Sequence, residues 1–316
     1  MEYRKEDIAR VFDEVEKADS IVLFGHVNPD GDCLGSVYGM KRALKEFFPQ
    51  KKVYAVGSHP KYLEELLDPS DILDEETYKK SLGFIVDVSD GARIEDKNYV
   101  LCKKLVCVDH HIANGTYSYP VFRDADAPSA TLALARCLLL RYGRIPACSA
   151  DLFYLGLVTD TDRFRCDSEP GTLEIAKKLI EVGADYRKLY AVLYRQDSAS
   201  LRFRSYVYDH LKTSGKVTYV KVPRDAYAPL GIEENDASNR VDLISLLDGR
   251  PIWAQFTEQE DGSIRVELRS DGHYNVQITA LAFGGGGHLA ASGCKLRSLE
   301  DSEKVVEALN ELPEVK

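Results

Sequence analysis

The chain has 316 residues, 44% of them hydrophobic and 29% charged, with 51 acidic against 41 basic residues and a net charge of -10 at pH 7. This is ordinary globular composition, long enough for about two domains. It excludes a disordered chain, a disulfide-stapled miniprotein and a protein that coats long nucleic acid through a broad basic surface.

Met1 to Ala18 alternates charged and apolar residues at helical spacing without the apolar stretch of a secretory signal, which predicts a surface helix of a cytoplasmic protein. No apolar run reaches the ~18 residues of a spanning helix. Arg136, Asp151 and Asp160 interrupt the most apolar segments, so no membrane association is expected. Ile21–Phe24, Val53–Val56, Phe84–Val88 and Leu105–Val108 read as strands, and between them Leu34, Val37, Tyr38, Met40 and Leu44 recur at helical spacing, as do Leu63, Leu66 and Leu67 more briefly. Strands alternating with helices predict an α/β domain over residues 1–190 with a doubly wound, mainly parallel sheet. Leu132–Tyr142 and Leu152–Val158 read as buried helices and Thr172–Val182 as an amphipathic one. Residues 191–212 are expected to form a helical connector. After it Val217–Val222, Ile252–Thr257 and Ile264–Leu268 are strand-like, with Glu260-Asp261-Gly262 as hairpin turn, which predicts a smaller α+β domain over residues 213–316. The seven cysteines, at 33, 102, 107, 137, 148, 166 and 294, are scattered and contain no Cys-x-x-Cys pair. They suit core positions better than a disulfide framework or a thiolate zinc site.

The chemistry concentrates at element ends. His26-Val27-Asn28-Pro29-Asp30-Gly31-Asp32 follows the first strand, where an open α/β sheet binds ligands. An aspartate-rich turn with Asp32 as N-cap is the plainer alternative for that stretch alone. The other ends repeat the pattern: Asp87 near the end of one strand, Asp109-His110-His111 after another, and Asp160 and Asp162 after a buried helix. Carboxylates gathered without counter-charge repel and raise each other's pKa, so bound cations are expected. Carboxylates mixed with imidazoles point to Mn²⁺ or Mg²⁺, with Co²⁺ or Zn²⁺ also admitted, and the imidazoles favour Mn²⁺. Two such cations ~3.5–4 Å apart acidify water and clamp a phosphate for in-line attack, which predicts phosphoester or phosphoanhydride hydrolysis. Farther on, Gly284 to Gly287 with His288 has the makings of an anion-binding nest, a glycine-rich hinge being the alternative. Arg269, after a strand, has the planar fork that grips phosphate.

His26-x-x-x-Asp30-x-Asp32, Asp87, Asp109-His110-His111 and Asp160-Thr161 resemble the four ordered motifs of the DHH phosphoesterase superfamily. Gly284-Gly285-Gly286-Gly287-His288, preceded by Arg269-Ser270, resembles the DHHA1 substrate-binding domain of that family. The match spans nearly the whole chain and is nearest in character to the stand-alone NrnA group. It implies that His26, Asp30 and Asp87 hold one cation and Asp32, Asp87, His110 and Asp160 the other, with Asp87 bridging. His111 would face the scissile phosphate as a donor, with Asp109 orienting the histidine pair. Arg269, Ser270, Gly285, Gly286, Gly287 and His288 would bind substrate, Arg165 would lie near it, and the cleft between domains would close over it. Members of the group degrade very short oligonucleotides, and several remove the 3′-phosphate of 3′-phosphoadenosine 5′-phosphate; a cyclic dinucleotide or its linear product pApA is the alternative substrate. The resemblance leaves room for a homodimer. Asp162 departs from the family pattern, which often has glycine there.

Overall fold

The computed structural model describes residues 5–111, 118–165, 171–245 and 247–315. Contacts divide the chain into two compact units, Met1–Arg195 and Gln196–Lys316. Among the described residues no helix is long and apolar enough to cross a membrane.

The first unit opens with helix α1 (Lys5–Lys17), whose buried Ile8, Val11, Phe12 and Val15 follow the 3.6-residue period of an amphipathic helix. Strand β1 (Ser20–Phe24), helix α2 (Gly31–Phe47), strand β2 (Lys52–Ala55), helix α3 (Glu75–Lys80) and strands β3 (Leu82–Val86), β4 (Lys104–Asp109) and β5 (Val121–Arg123) come next. The strands form one sheet in the order β2-β1-β3-β4-β5, with every pairing parallel. Both faces are covered: Ile21, Leu23, Phe84 and Val86 enter one core with α1 and α2, while Val22, Phe24 and Ile85 enter a second with Tyr78 of α3. The strand predicted to run through Val88 stops at Val86, because Asp87 turns the chain at φ 57°. Helices α4 (Ala130–Tyr142), α5 (Ala147–Asp160), α6 (Gly171–Val182) and α7 (Tyr186–Leu193) complete this unit. Ser129 caps α4 by accepting the N–H of Leu132, and Gly143 ends it at φ 73°.

Helix α2 packs on α5 through glycine. A Cβ at Gly35 would lie 2.4 Å from the Leu152 carbonyl oxygen and 3.1 Å from the Gly156 nitrogen, so the two backbones touch there. This approach brings Asp32 of α2 into one group with Asp160 of α5. Gly35→Ala is therefore expected to destabilise the protein by about 1–3 kcal/mol, the usual cost of overpacking. An unchanged urea midpoint would contradict it.

In the second unit, α8 (Ser198–Asp209) precedes strands β6 (Lys212–Ser214) and β7 (Val217–Val222), short helix α9 (Glu234–Ser238), strands β8 (Ile252–Glu258) and β9 (Ile264–Ser270), helix α10 (Val276–Ala282), strands β10 (Gly286–Gly287) and β11 (Ala291–Leu296), and helix α11 (Ser302–Asn310). The sheet order is β10-β11-β9-β8-β7-β6, with only β7–β8 parallel among the described pairings. Gly262, at φ 78°, turns the β8–β9 hairpin. Helices α10 and α11 cover one face, and α8 buries Phe203 and Val207 on the other. Cys33, Cys107, Cys137 and Cys294 are buried as expected, Cys102 is half-buried, Cys148 is exposed, and Cys166 lies outside the described residues.

Candidate active site

The first unit's sheet order reverses between β1 and β3, and an open α/β sheet binds ligands at that switch point, beyond the carboxyl ends of its strands. The residues leaving those ends converge there. Asp30, not Asp32, caps α2: its Oδ1 accepts the N–H groups of Asp32 and Cys33, each at 3.0 Å. Its Oδ2 lies 3.8 Å from His26 Nε2. Asp32 is fully buried and accepts the N–H of Ala130 at 2.6 Å, the N–H of Thr131 at 3.0 Å and the Thr131 hydroxyl at 2.7 Å. Its charge thus sits on the N-terminus of α4, where the helix dipole favours it. His110 Nδ1 is 3.1 Å from the Ala127 carbonyl, which turns Nε2 toward Asp87 Oδ1 at 3.4 Å, Asp160 Oδ2 at 3.5 Å and Asp32 Oδ2 at 3.9 Å.

Asp87 is the centre of this arrangement. Its Oδ2 lies 3.4 Å from His26 Nε2, on the opposite side from the His110 contact. Its Oδ1 is buried and makes no hydrogen bond, an expensive condition for a carboxylate oxygen in a folded protein. His26, Cys33 and Asp87 place ligand atoms within 4.8 Å of one another, as do Asp87, His110 and His111, and Asp32, His110 and Asp160. An orphaned oxygen inside a set of carboxylates and imidazoles fits a divalent cation.

Titration behaviour follows from the same crowding. Burial and the neighbouring Asp87 charge push Asp32 up to about 7. Burial, with Asp32, Asp30 and Asp87 adding to it, holds Asp160 well above the usual carboxylate range. Burial opposes charge on the imidazoles, but Asp87 and its neighbours outweigh it and raise His26 to about 12 and His110 to about 10. Burial likewise works against ionised Asp87, yet His110 and His26 hold it at about 2. Protons on the two rings thus offset the negative cluster, as a bound cation would in their place.

His111 stands beside this cluster. Its Nδ1 is 2.8 Å from Asp109 Oδ1, and the other oxygen of Asp109 receives Arg123 Nε at 3.1 Å and Nη2 at 3.0 Å. Asp109 is fully buried; burial disfavours its charge, but the hydrogen bond to His111 and the nearby guanidinium lower its pKa. It touches the histidine pair through His111, while His110 is oriented by a backbone carbonyl instead.

Family models for the DHH family N-terminal domain and the DHHA1 domain match residues 20–157 and 214–314. A Mycoplasma genitalium protein named bifunctional oligoribonuclease and PAP phosphatase NrnA is 32% identical over 311 residues, covering 96% of each chain. The chain belongs to the DHH family. A Bacillus subtilis protein of the same name is 29% identical, covering 93% of this chain and 95% of its own. The fold also matches that of an exopolyphosphatase-related protein from Bacteroides fragilis, with a TM-score of 0.89 at 22% identity over 98% of this chain and 97% of that one. As a DHH phosphoesterase, this protein is a hydrolase acting on phosphoric ester bonds, and its family is metal-dependent.

The DHHA1 domain carries the other predicted residues. Arg269 Nη1 donates to Glu267 Oε2 at 3.2 Å and to the Leu268 carbonyl at 3.0 Å. The Ser270 hydroxyl is engaged in a turn, donating to the Tyr274 carbonyl at 2.6 Å. The nest expected from the glycine run finds several of its N–H groups already engaged. Gly284 and Gly285 donate to the Leu281 and Ala280 carbonyls at 3.0 and 2.8 Å, closing the end of α10, and His288 donates to Ala291 at 2.7 Å. Helix ends leave carbonyls that need donors, and these glycines supply them. Gly285 also makes room for a neighbouring strand. A Cβ there would lie 2.0 Å from the Gly293 carbonyl oxygen, so β11 can pass only over glycine. Gly286 and Gly287 pair with Gly293 and Ser292, and His288 is exposed in the following turn.

Arg165 is paired with Asp162 at 2.9 Å, and the same carboxylate holds Arg163. Asp162, Arg163 and Phe164 adopt φ of 42°, 65° and 66°, a left-handed run directly after Asp160-Thr161. Asp162 thus serves two guanidinium groups and is absent from the potential ligand groups among the described residues. Two contacts at the site escape the sequence reading: Arg123 meets Asp109 across 14 residues of sequence and Thr131 meets Asp32 across 99, and no local spacing announces either.

Proposed function

We propose that the protein hydrolyses short oligonucleotides to mononucleotides and 3′-phosphoadenosine 5′-phosphate to AMP, in the cytoplasm, with Mn²⁺ as the preferred cation. The observation that carries the reading is the buried Asp87 carboxylate, which presents one oxygen toward His26 and an unbonded one toward His110. His26, Asp30 and Asp87 would hold one cation and Asp32, Asp87, His110 and Asp160 the other. Divalent cations held there polarise a phosphate and bring the pKa of water down toward neutrality. Names shared by relatives at about 30% identity over nearly their full length support the substrate class. Unpaired cysteines suit a reducing compartment.

The protein's own groups do the rest. Asp109 accepts His111 Nδ1–H, so Nε2 carries a proton only in the imidazolium form, in which it would donate to the scissile phosphate and protonate the departing oxygen. Arg269, His288 and the glycine segment with Ser270, together with Arg165, would bind the remaining phosphate and sugar of a short substrate. Recognition through a few placed groups rather than a basic surface suits fragments and disfavours long strands.

The test is a panel of pApA, longer RNA and DNA, cyclic di-AMP and the 3′,5′-bisphosphate with one Mn²⁺-loaded preparation. Mononucleotide from pApA and phosphate from the bisphosphate are expected, with little turnover of long strands. Hydrolysis of cyclic di-AMP alone would move the assignment to a cyclic dinucleotide. Turnover of none of these substrates would overturn it.

A further inference from the structure

We propose that Arg123 is a positioning residue for the reaction, acting through Asp109 to fix the ring of His111 and to keep that ring from capturing Asp87. The inference rests on the hydrolase reading above and extends it to a residue outside the family's motifs.

The arrangement begins with strand register. Parallel pairing of β4 with β5 sets Asp109 opposite Arg123. The carboxylate of Asp109 is fully buried and divides its oxygens: Oδ1 faces His111, with Nδ1 at 2.8 Å and the backbone N–H at 3.3 Å, while Oδ2 receives the Nε and Nη2 edge of Arg123. Both N–H groups converge on Oδ2 and anchor that one oxygen, so a rotation about Cβ–Cγ, which would carry Oδ2 away, costs two charge-assisted bonds at once. Arg123 thereby determines which way Oδ1 points.

That direction matters because His111 has a second acceptor within reach. Its Nδ1 lies 3.6 Å from Asp87 Oδ1, the buried oxygen without a hydrogen bond. While Asp109 is pinned, Nδ1–H goes to Asp109, Asp87 Oδ1 keeps its lone pairs, and Nε2 is directed away from both carboxylates. If Asp109 rotates about its Cβ–Cγ bond, Nδ1–H can swing to Asp87. The ring is then misdirected and Asp87 loses an oxygen that a cation needs. A group that orients a catalytic or ligating imidazole from outside the first contact layer is typically worth about 10–100-fold in activity or metal affinity.

The experiment compares Arg123→Met and Arg123→Lys in the full-length, Mn²⁺-loaded protein. Arg123→Met should lower kcat on pApA by about tenfold or more with KM within about twofold, and Arg123→Lys, which keeps charge without the fork, should fall between. Proton NMR of the Mg²⁺-loaded protein supplies a second readout. The downfield Nδ1–H resonance of His111, recognised by its loss in His111→Gln, should disappear in Arg123→Met and persist in Arg123→Lys. An unchanged kcat, a loss confined to KM, or a resonance that survives in Arg123→Met would overturn the proposal. If wild-type protein turns over no substrate of the panel, the functional reading fails instead, and the resonance still decides whether Arg123 positions His111.

Discussion

Asp87→Asn is expected to lower turnover of pApA at least ~10³-fold, about 4 kcal/mol of transition-state stabilisation, in a protein that still folds. The substitution preserves shape and, at φ 57°, replaces one residue that tolerates left-handed backbone with another. Alanine would be a poorer probe, because it adds a backbone cost of about 1–2 kcal/mol there. What asparagine cannot do is present two anionic oxygens on opposite sides. Asp87 Oδ2 lies 3.4 Å from His26 Nε2 and Oδ1 lies 3.4 Å from His110 Nε2, so one amide replaces an oxygen facing one of those imidazoles with a donor. Both proposed cation positions share this residue, and both would be lost together. Kinetics on pApA with saturating Mn²⁺, alongside circular dichroism to verify folding, test it. More than a tenth of wild-type kcat in a folded Asp87→Asn protein would refute the bridging role.

The cluster around Asp87 was legible in sequence for a definite reason. Its members sit where strands or helices end, and element ends announce themselves through apolar runs broken by Asp, His, Pro and Gly. His26, Asp87 and His110 follow three adjacent parallel strands, so the strand pattern alone sends them to one edge of the sheet. Contacts that depend on register or on helix docking were not legible. Arg123 closes a three-residue strand too short to give a periodic signal, and its pairing with Asp109 exists only in the β4–β5 register. Thr131 meets Asp32 because α4 starts beside α2, a meeting across 99 residues of sequence separation. The glycine run shows the opposite failure. Its composition suggests free N–H groups, yet capping of α10 and close passage of β11 consume much of what the composition offers.

Removal of divalent cations should abolish turnover, and Mn²⁺ should restore it with an apparent affinity that rises with pH. The direction follows from which groups carry protons before a cation binds. Asp32 is raised from 3.8 to about 7, His26 from 6.5 to about 12 and His110 from 6.5 to about 10, with Asp160 also raised. A bound cation requires ionised carboxylates and neutral imidazoles, so binding expels protons, and log K rises by about one per pH unit for each proton released. Stability of the cation-free protein runs the other way. Groups whose folded pKa is raised contribute fully below their unfolded pKa and lose that contribution as pH rises through the folded one. For Asp32 this loss spans the interval from 3.8 to about 7, and for the two imidazoles it begins at 6.5 and extends to about 10 and about 12. Asp87, lowered from 3.8 to about 2, has the opposite sign and matters only in acid. Between about pH 6 and about pH 8 the melting temperature in chelator should therefore fall relative to that in Mn²⁺, and the gap between the two curves should widen. Thermal melts in matched buffers measure the gap directly. A gap that stays constant or narrows as pH rises would mean that the cation does not displace these protons, and that the carboxylate–imidazole cluster is not its binding site.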